Sequence, residues 1–361
     1  MTMILLRGMW TAAWVLAGAA ALMVVLLVVG FLYQWIGSVV DRRRLRRPGR
    51  LVRIGDGREL YLMETGVRRR GPTVVFESGF AATSLNWMHI QEALGEDVHT
   101  VAYDRCGLGW SSGCVSERTP ANVARELREL LRAAGIEPPW ILVGHSFGGL
   151  VMQRFALDYP EETAGLVLID PMRPIEWPPF NAGADARVRR AQRLTRVGKV
   201  FARVGMTRLA ARSHFCRSAR FSGLLIRLAG RQGEFLASRL DTEIGKMPAE
   251  VRPSIAAHWS APRFYRGLRA HLDAVETTAM EMCQVEAIGE MPVVILTPAS
   301  SAPPANMEQY GPRGRHIVAE RSLHWIHLDE PELVVRTILN AVVQAVAEDR
   351  RTQPSMASAV R

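Results

Sequence analysis

The segment Gly144-His145-Ser146-Phe147-Gly148 sets a hydroxyl between two glycines, directly after the apolar run Trp140-Ile141-Leu142-Val143 and just before a helix-like stretch over residues 150–159. Glycine tolerates a sharp backbone turn, so a strand-turn-helix passage of this kind lifts the serine hydroxyl clear of a sheet and opens a helix behind it. The chemistry that suits such a serine is nucleophilic attack. It needs a base within hydrogen-bond reach and an acid that orients the base. His324 is the expected base: it follows a short strand, His316-Ile317-Val318, and precedes a helix begun by Pro331, which puts it at a C-terminal strand end on the same edge as Ser146. His327 is the rival, and a capping or packing histidine is the bland alternative for either. His89, His99, His145 and His258 are expected to be structural or to belong to a cap.

The acid is less direct. Past the apolar run Val293-Val294-Ile295-Leu296 the chain reads Thr297-Pro298-Ala299-Ser300-Ser301-Ala302, which holds no carboxylate. Asp170, closing the earlier run Leu166-Val167-Leu168-Ile169, is the expected acid and gives the chain order Ser, Asp, His. A structural aspartate closing that turn is the alternative, and Glu308 is the reserve. Acyl chemistry also needs donors for an oxyanion. The backbone N–H of Phe147, directly after the serine, is one; that of Phe80, where Glu77-Ser78-Gly79-Phe80 follows the strand Thr73-Val74-Val75-Phe76, is the other.

The elements that must position these residues alternate. Two strands joined by Asp56-Gly57 make a hairpin signal over residues 51–64, after which strands at 73–76, 98–103, 140–143 and 166–169 are separated by helices at 85–94, 121–134 and 151–159. Continuous apolar strands between helices indicate a mostly parallel sheet covered on both faces. The alternation lapses over 171–290, which reads as a helical, arginine-rich insertion, and resumes with strands near 293 and 316 and a helix over 331–347. The expected division is 1–50 anchor and basic linker, 51–170 first part of the core, 171–290 helical cap insertion, 291–348 second part of the core, and 349–361 flexible tail.

With 361 residues and 48% of them apolar, the chain can bury a large core. No charged side chain stands between Gly8 and Val40, more than the ~20 residues a helix needs to cross a bilayer. That stretch exceeds the hydrophobic run of a signal peptide, so an uncleaved single-pass anchor is expected. Arginines crowd its C-terminal flank, Asp41-Arg42-Arg43-Arg44-Leu45-Arg46-Arg47, and the positive-inside rule then puts the catalytic part in the cytoplasm. The four cysteines, Cys106, Cys114, Cys216 and Cys283, have neither metal-ligand spacing nor a disulfide framework. Much of the net charge of +10 gathers between Arg187 and Gly233, where Leu194, Val197, Val200, Phe201 and Val204 recur at helical spacing. Such a helix reads as either a surface lying on anionic lipid or the solvated face of a cap. Nucleic acid is not expected as a partner.

Together these residues resemble the α/β-hydrolase superfamily, over residues 51–347. Besides Gly144 to Gly149, the segment Asp104-Arg105-Cys106-Gly107-Leu108-Gly109-Trp110-Ser111 is similar to the family's D-R-x-G-x-G-x-S loop, and Ser322-Leu323-His324-Trp325-Ile326 with Pro331 to its histidine segment. Two departures stand out: Ser78 replaces the usual histidine of H-G, and the carboxylate after the late strand is missing. The second resembles the minority arrangement of some haloalkane dehalogenases, whose acid follows the earlier strand, at the position of Asp170. Serine at 146 argues against dehalogenase and epoxide hydrolase chemistry, which use an aspartate nucleophile. The resemblance implies an α/β-hydrolase fold with a helical cap and a serine hydrolase of the esterase or lipase-like branch, without metal or organic cofactor. The cap aromatics Trp177, Phe180, Trp259, Phe264 and Tyr265 are expected to wall an apolar site, favouring a lipophilic ester, with membrane lipid as the other partner. Amide, C–C bond or perhydrolase chemistry on the same residues, and a non-catalytic binding protein of the same fold, are the rival readings.

Overall fold

The computed structural model describes residues 2–45, 47–67, 71–215, 245–304 and 306–352. Eight strands form one sheet in the order β1-β2-β4-β3-β5-β6-β7-β8. They are β1 (Arg50–Arg53), β2 (Glu59–Thr65), β3 (Thr73–Glu77), β4 (Thr100–Tyr103), β5 (Trp140–His145), β6 (Thr163–Ile169), β7 (Val293–Pro298) and β8 (Gly314–Ala319). β1 and β2 pair antiparallel, as do β2 and β4, and every other neighbour pair is parallel. The hairpin at Asp56-Gly57 therefore sits at one edge, β3, β5 and β6, which lead to Phe80, Ser146 and Asp170, lie side by side in the middle, and β8, which leads to His324, forms the other edge.

Helices cover both faces. Even in wholly apolar strands the side chains alternate: Val75, Leu142, Leu168 and Ile295 pack with α3 (Pro120–Ala133) and α4 (Phe147–Asp158), whereas Val74, Phe76, Val143 and Val167 pack with α2 (Met88–Leu94) and the long C-terminal helix. Leu127, Leu130 and Leu131 of α3 join the first core, and Val334, Ile338 and Ala341 the second. Thr119 caps α3 by accepting the Asn122 N–H, Pro120 stands in its first turn, and Gly135 at φ +70° follows its end.

Between β6 and β7 the described residues form α5 (Ala182–Arg203), α6 (Met206–Phe215), α7 (Arg252–Ser260), α8 (Pro262–Asp273) and α9 (Val275–Cys283). α5 and α8 cross closely: a Cβ on Gly198 would lie 2.3 Å from the Tyr265 ring. After β8 come a short α10 (Ile326–Asp329) and α11 (Pro331–Thr352). α11 thus runs past the expected start of the tail, because Val342, Ala345 and their neighbours still pack on the sheet. The helix expected over 85–94 opens as a 3₁₀ turn, Ser84–Trp87, before α2. The basic stretch beyond Phe215, Cys216, Arg46 and the tail from 353 lie outside the described residues.

The N-terminal segment is one helix, α1 (Thr2–Arg44), and its apolar part, Met9–Arg44, is long and apolar enough to cross a membrane. A signal sequence near an N-terminus meets the same criterion.

Candidate active site

β5 delivers the chain to Ser146, which adopts φ 56° and ψ −120° at the head of α4. The left-handed strain falls on the serine itself, of order 1–3 kcal/mol for a non-glycine residue, and not on its flanking glycines. Their function is room. A Cβ on Gly144 would lie 2.4 Å from the Gly148 carbonyl oxygen, and one on Gly148 would lie 2.6 Å from the Glu77 carbonyl oxygen. The Ser146 N–H donates to the Ile169 carbonyl at 3.0 Å, tying the turn to the end of β6.

One residue further on stands Asp170, also at positive φ, 40°. Its N–H donates to the Leu296 carbonyl of β7 at 2.7 Å, and its Oδ2 lies 2.6 Å from Nδ1 of His324. The carboxylate holds one ring nitrogen and leaves Nε2 as the site for a proton. His145 links this base to the nucleophile: its Nε2 bonds the His324 carbonyl at 2.8 Å, and it is the residue before Ser146. Ser146, Asp170 and His324 are each half-buried, so the group stays accessible. Among the described residues the Ser146 hydroxyl has no hydrogen-bonded partner; in free enzymes the bond from nucleophile to base commonly tightens only with substrate.

Glu308 is exposed in a 3₁₀ turn and bonds through its backbone to Asn306, away from His324. His327 is fully buried against Trp87, ring centroids 4.5 Å apart, and burial holds its pKa well below the ordinary value. It has no path to a substrate. His89 bonds the His327 carbonyl, His99 bonds Thr73, and His258 meets Trp110 edge to face with its pKa drawn down to about 3, first by burial and then by Arg263. His89, His99, His258 and His327, with His145, serve the scaffold.

The loop expected to supply an oxyanion donor is held by Arg105, a residue to which the motif assigns no role. Arg105 donates to the carboxylate of Glu77 and to the carbonyls of Ser78, Gly79 and Phe80. A trans peptide carries its N–H opposite its C=O, so fixing the Gly79 carbonyl aims the Phe80 N–H away from the guanidinium. A Cβ on Gly79 would lie 3.5 Å from that of Ser146, which puts this loop against the nucleophile. Phe80 and Phe147, whose amides are the expected donors, set their rings edge to face at 5.2 Å. The Phe147 N–H is in the first turn of α4, where amides lack a helical partner. Ser78, in place of the histidine, donates to the Thr83 carbonyl and accepts from Trp87 Nε1.

The cap reaches this loop through His271 of α8. Its ring lies 5.8 Å from Phe80 and 5.6 Å from Phe147, its Nε2 accepts from Arg105, and burial keeps it neutral. The expected wall of cap aromatics is arranged differently. Trp259 and Tyr265 each set a ring against Phe264, Trp259 also packs on the cluster of Leu85, Met247, Val251 and Ile255, Trp177 packs on the main core, and Phe180 is 50% exposed.

A strained serine elbow after the central strand, an aspartate at the end of the neighbouring strand paired with a histidine from the loop after the edge strand, and an amide-lined loop define a nucleophile-elbow α/β fold. Residues 72–248 match the family model described as the alpha/beta hydrolase fold. Cfl2 of Burkholderia cenocepacia is similar in structure, with a TM-score of 0.61 and 21% identity over 81% of this chain and 95% of that one. A thermophilic esterase of Thermogutta terrifontis aligns with a TM-score of 0.57 and 22% identity over 82% and 98%. In sequence, YqjL of Bacillus subtilis is 34% identical over 101 residues, 28% of this chain and 40% of that protein, so the match spans less than half of that relative. The chain has the α/β-hydrolase fold.

Proposed function

We propose that this chain is a membrane-anchored serine hydrolase that cleaves carboxylic esters of lipophilic substrates through an acyl-enzyme. The observation that carries the reading is the His324–Asp170 bond at 2.6 Å, made at the strand end next to the elbow of Ser146. In the proposed reaction Ser146 Oγ attacks the ester carbonyl as His324 Nε2 takes its proton. The oxyanion forms within reach of the Phe80 and Phe147 amides. The C–O bond then breaks, and His324 returns the proton to the leaving alcohol while Asp170 stabilises the imidazolium. Water, deprotonated by the same imidazole, releases the acid. The Phe80 and Phe147 rings beside the serine favour an apolar acyl or alcohol group. α1 supplies the anchor, and Arg42, Arg43 and Arg44 at its end favour a cytoplasmic catalytic domain.

A fluorophosphonate probe tests the nucleophile and a substrate panel tests the bond cleaved. Wild type is expected to be labelled and to turn over long-chain p-nitrophenyl esters and monoacylglycerols, with both properties lost in Ser146→Ala. Labelling with turnover of amides only would move the reaction to a different bond. An unlabelled wild type would leave a binding protein on the same fold.

A further inference from the structure

Every residue of α1 from 9 to 29 is exposed, and burial begins abruptly at Gly30. From there Gly30, Tyr33, Gln34, Gly37, Ser38 and Asp41 recur at three- and four-residue intervals and are all less exposed than the helix before them, forming one stripe. The cap covers that stripe. A Cβ on Gly30 would lie 2.3 Å from the Val204 carbonyl oxygen, and one on Gly205 would lie 2.8 Å from both the Gly30 carbonyl oxygen and the Tyr33 ring. Gln34 donates to the Ser260 carbonyl, and Arg208 of α6 reaches Gln34, Ser38 and Asp41. At 1.5 Å per residue the uncovered part is roughly 31 Å long, against the ~30 Å hydrocarbon thickness of a bilayer. α1 therefore leaves the hydrocarbon where α5 ends against it.

That places a second surface at the same depth. Leu194, Val197, Val200 and Phe201 of α5 are 49%, 48%, 55% and 44% exposed, and Met206 and Leu209 of α6 are 43% and 41% exposed. The four on α5 occupy about a third of the helix circumference at 100° per residue. Val197 is within about 10 Å, along the axis of α5, of the contact with Gly30. Arg193, Arg196, Lys199 and Arg203 interleave with them and make no ion pair among the described residues.

We infer that this apolar face of α5, with the start of α6, inserts into the headgroup layer of an anionic bilayer, held at that depth by the joint between the cap and α1. The occupant is lipid because the surface is continuous with a bilayer-length apolar helix and its cations complement anionic headgroups. The inference rests on the reading of α1 as an anchor. It puts the cap, and the site beneath it, against the phase from which an apolar ester would enter.

The full-length protein in nanodiscs of phosphatidylglycerol and phosphatidylcholine, with a photoreactive benzophenone side chain replacing one residue at a time, tests it. Leu22 of α1 reports on the anchor, Val197 and Phe201 on the new surface, and Val343, exposed on α11, on background. Covalent lipid adducts are expected at Leu22, Val197 and Phe201, several-fold above Val343. Adducts at Leu22 with Val197 and Phe201 no higher than Val343, or cross-linked instead to protein, overturn the inference and leave the anchor standing. No adduct at Leu22 overturns the anchor and the inference with it.

Discussion

At the scale of single residues, two side chains accept left-handed backbone to do their work. Ser146 and Asp170 both hold positive φ, and they stand at the ends of neighbouring strands. Asp170 orients His324 through one short bond, so Asp170→Asn keeps the shape and loses the tautomer. Its kcat is expected to fall ~10⁴-fold, with Glu308→Gln unchanged, measured by steady-state hydrolysis of a p-nitrophenyl ester. The candidate serine, base and acid could be picked out in the sequence because each follows a strand and each role needs one residue type. Arg105 was not, because its partners are backbone carbonyls, which leave no trace in residue identity. It is a positioning residue for the Phe80 amide, and Lys lacks the guanidinium fork that spans three carbonyls. Arg105→Lys is expected to lower kcat ~10²-fold, as for loss of one oxyanion donor, with a smaller change in KM. Burst titration of active sites separates this from partial misfolding, which would reduce the titre and leave the rate per site intact.

Among the elements, strands were easier to read than their joints. Apolar runs bounded by glycine, proline and charged residues marked β3, β5, β6 and β7 to within a few residues, since burial on both faces leaves little freedom of composition. The fastenings between elements are long-range and were not readable. Glu330 accepts from the Ser322 hydroxyl and the Arg321 N–H, and Asp329 accepts from the Leu323 N–H, so the end of α10 clasps the loop that presents His324. Glu126 of α3 similarly gathers Arg58, from the turn before β2, and Arg118, from the loop before α3. Burial alone would raise the Glu126 carboxyl, but Arg118 and Arg58 outweigh it and hold its pKa below the ordinary value. A depressed folded-state pKa stabilises the fold fully above the unfolded value, about 4.3, and this is lost as pH falls through the lower folded value. Glu126→Gln also leaves a buried guanidinium unpaired, which costs roughly 3 kcal/mol at neutral pH. Thermal melts of both proteins from pH 7 to pH 3 are expected to show a wide gap that narrows below about pH 4.3.

For the molecule as a whole, α1 is better described as a component of the cap than as a leash. A flexible tether would need no shape, whereas Gly30, Gly37 and Gly205 are where any Cβ would strike the opposing backbone or the Arg208 side chain. The apolar length of α1 was evident from composition, but its docking was not: glycines and a glutamine within a hydrophobic run carry no directional signal until a partner surface is known. Arg208 closes that joint. It is 4% exposed and makes its bonds to Gln34, Ser38 and Asp41 across more than 160 positions of chain. Arg208→Ala removes these together. The cost is about 2 kcal/mol, less than for a fully buried pair because Asp41 is partly open to water. None of these groups touches the site of Ser146, so turnover of a water-soluble short ester is expected to stay at the wild-type value. Limited proteolysis in nanodiscs is expected to cut the cap several-fold faster, because α5 and α6 lose their hold on α1. Unchanged cleavage in the variant would show that the cap is held by the hydrolase core alone, with α1 a passive attachment.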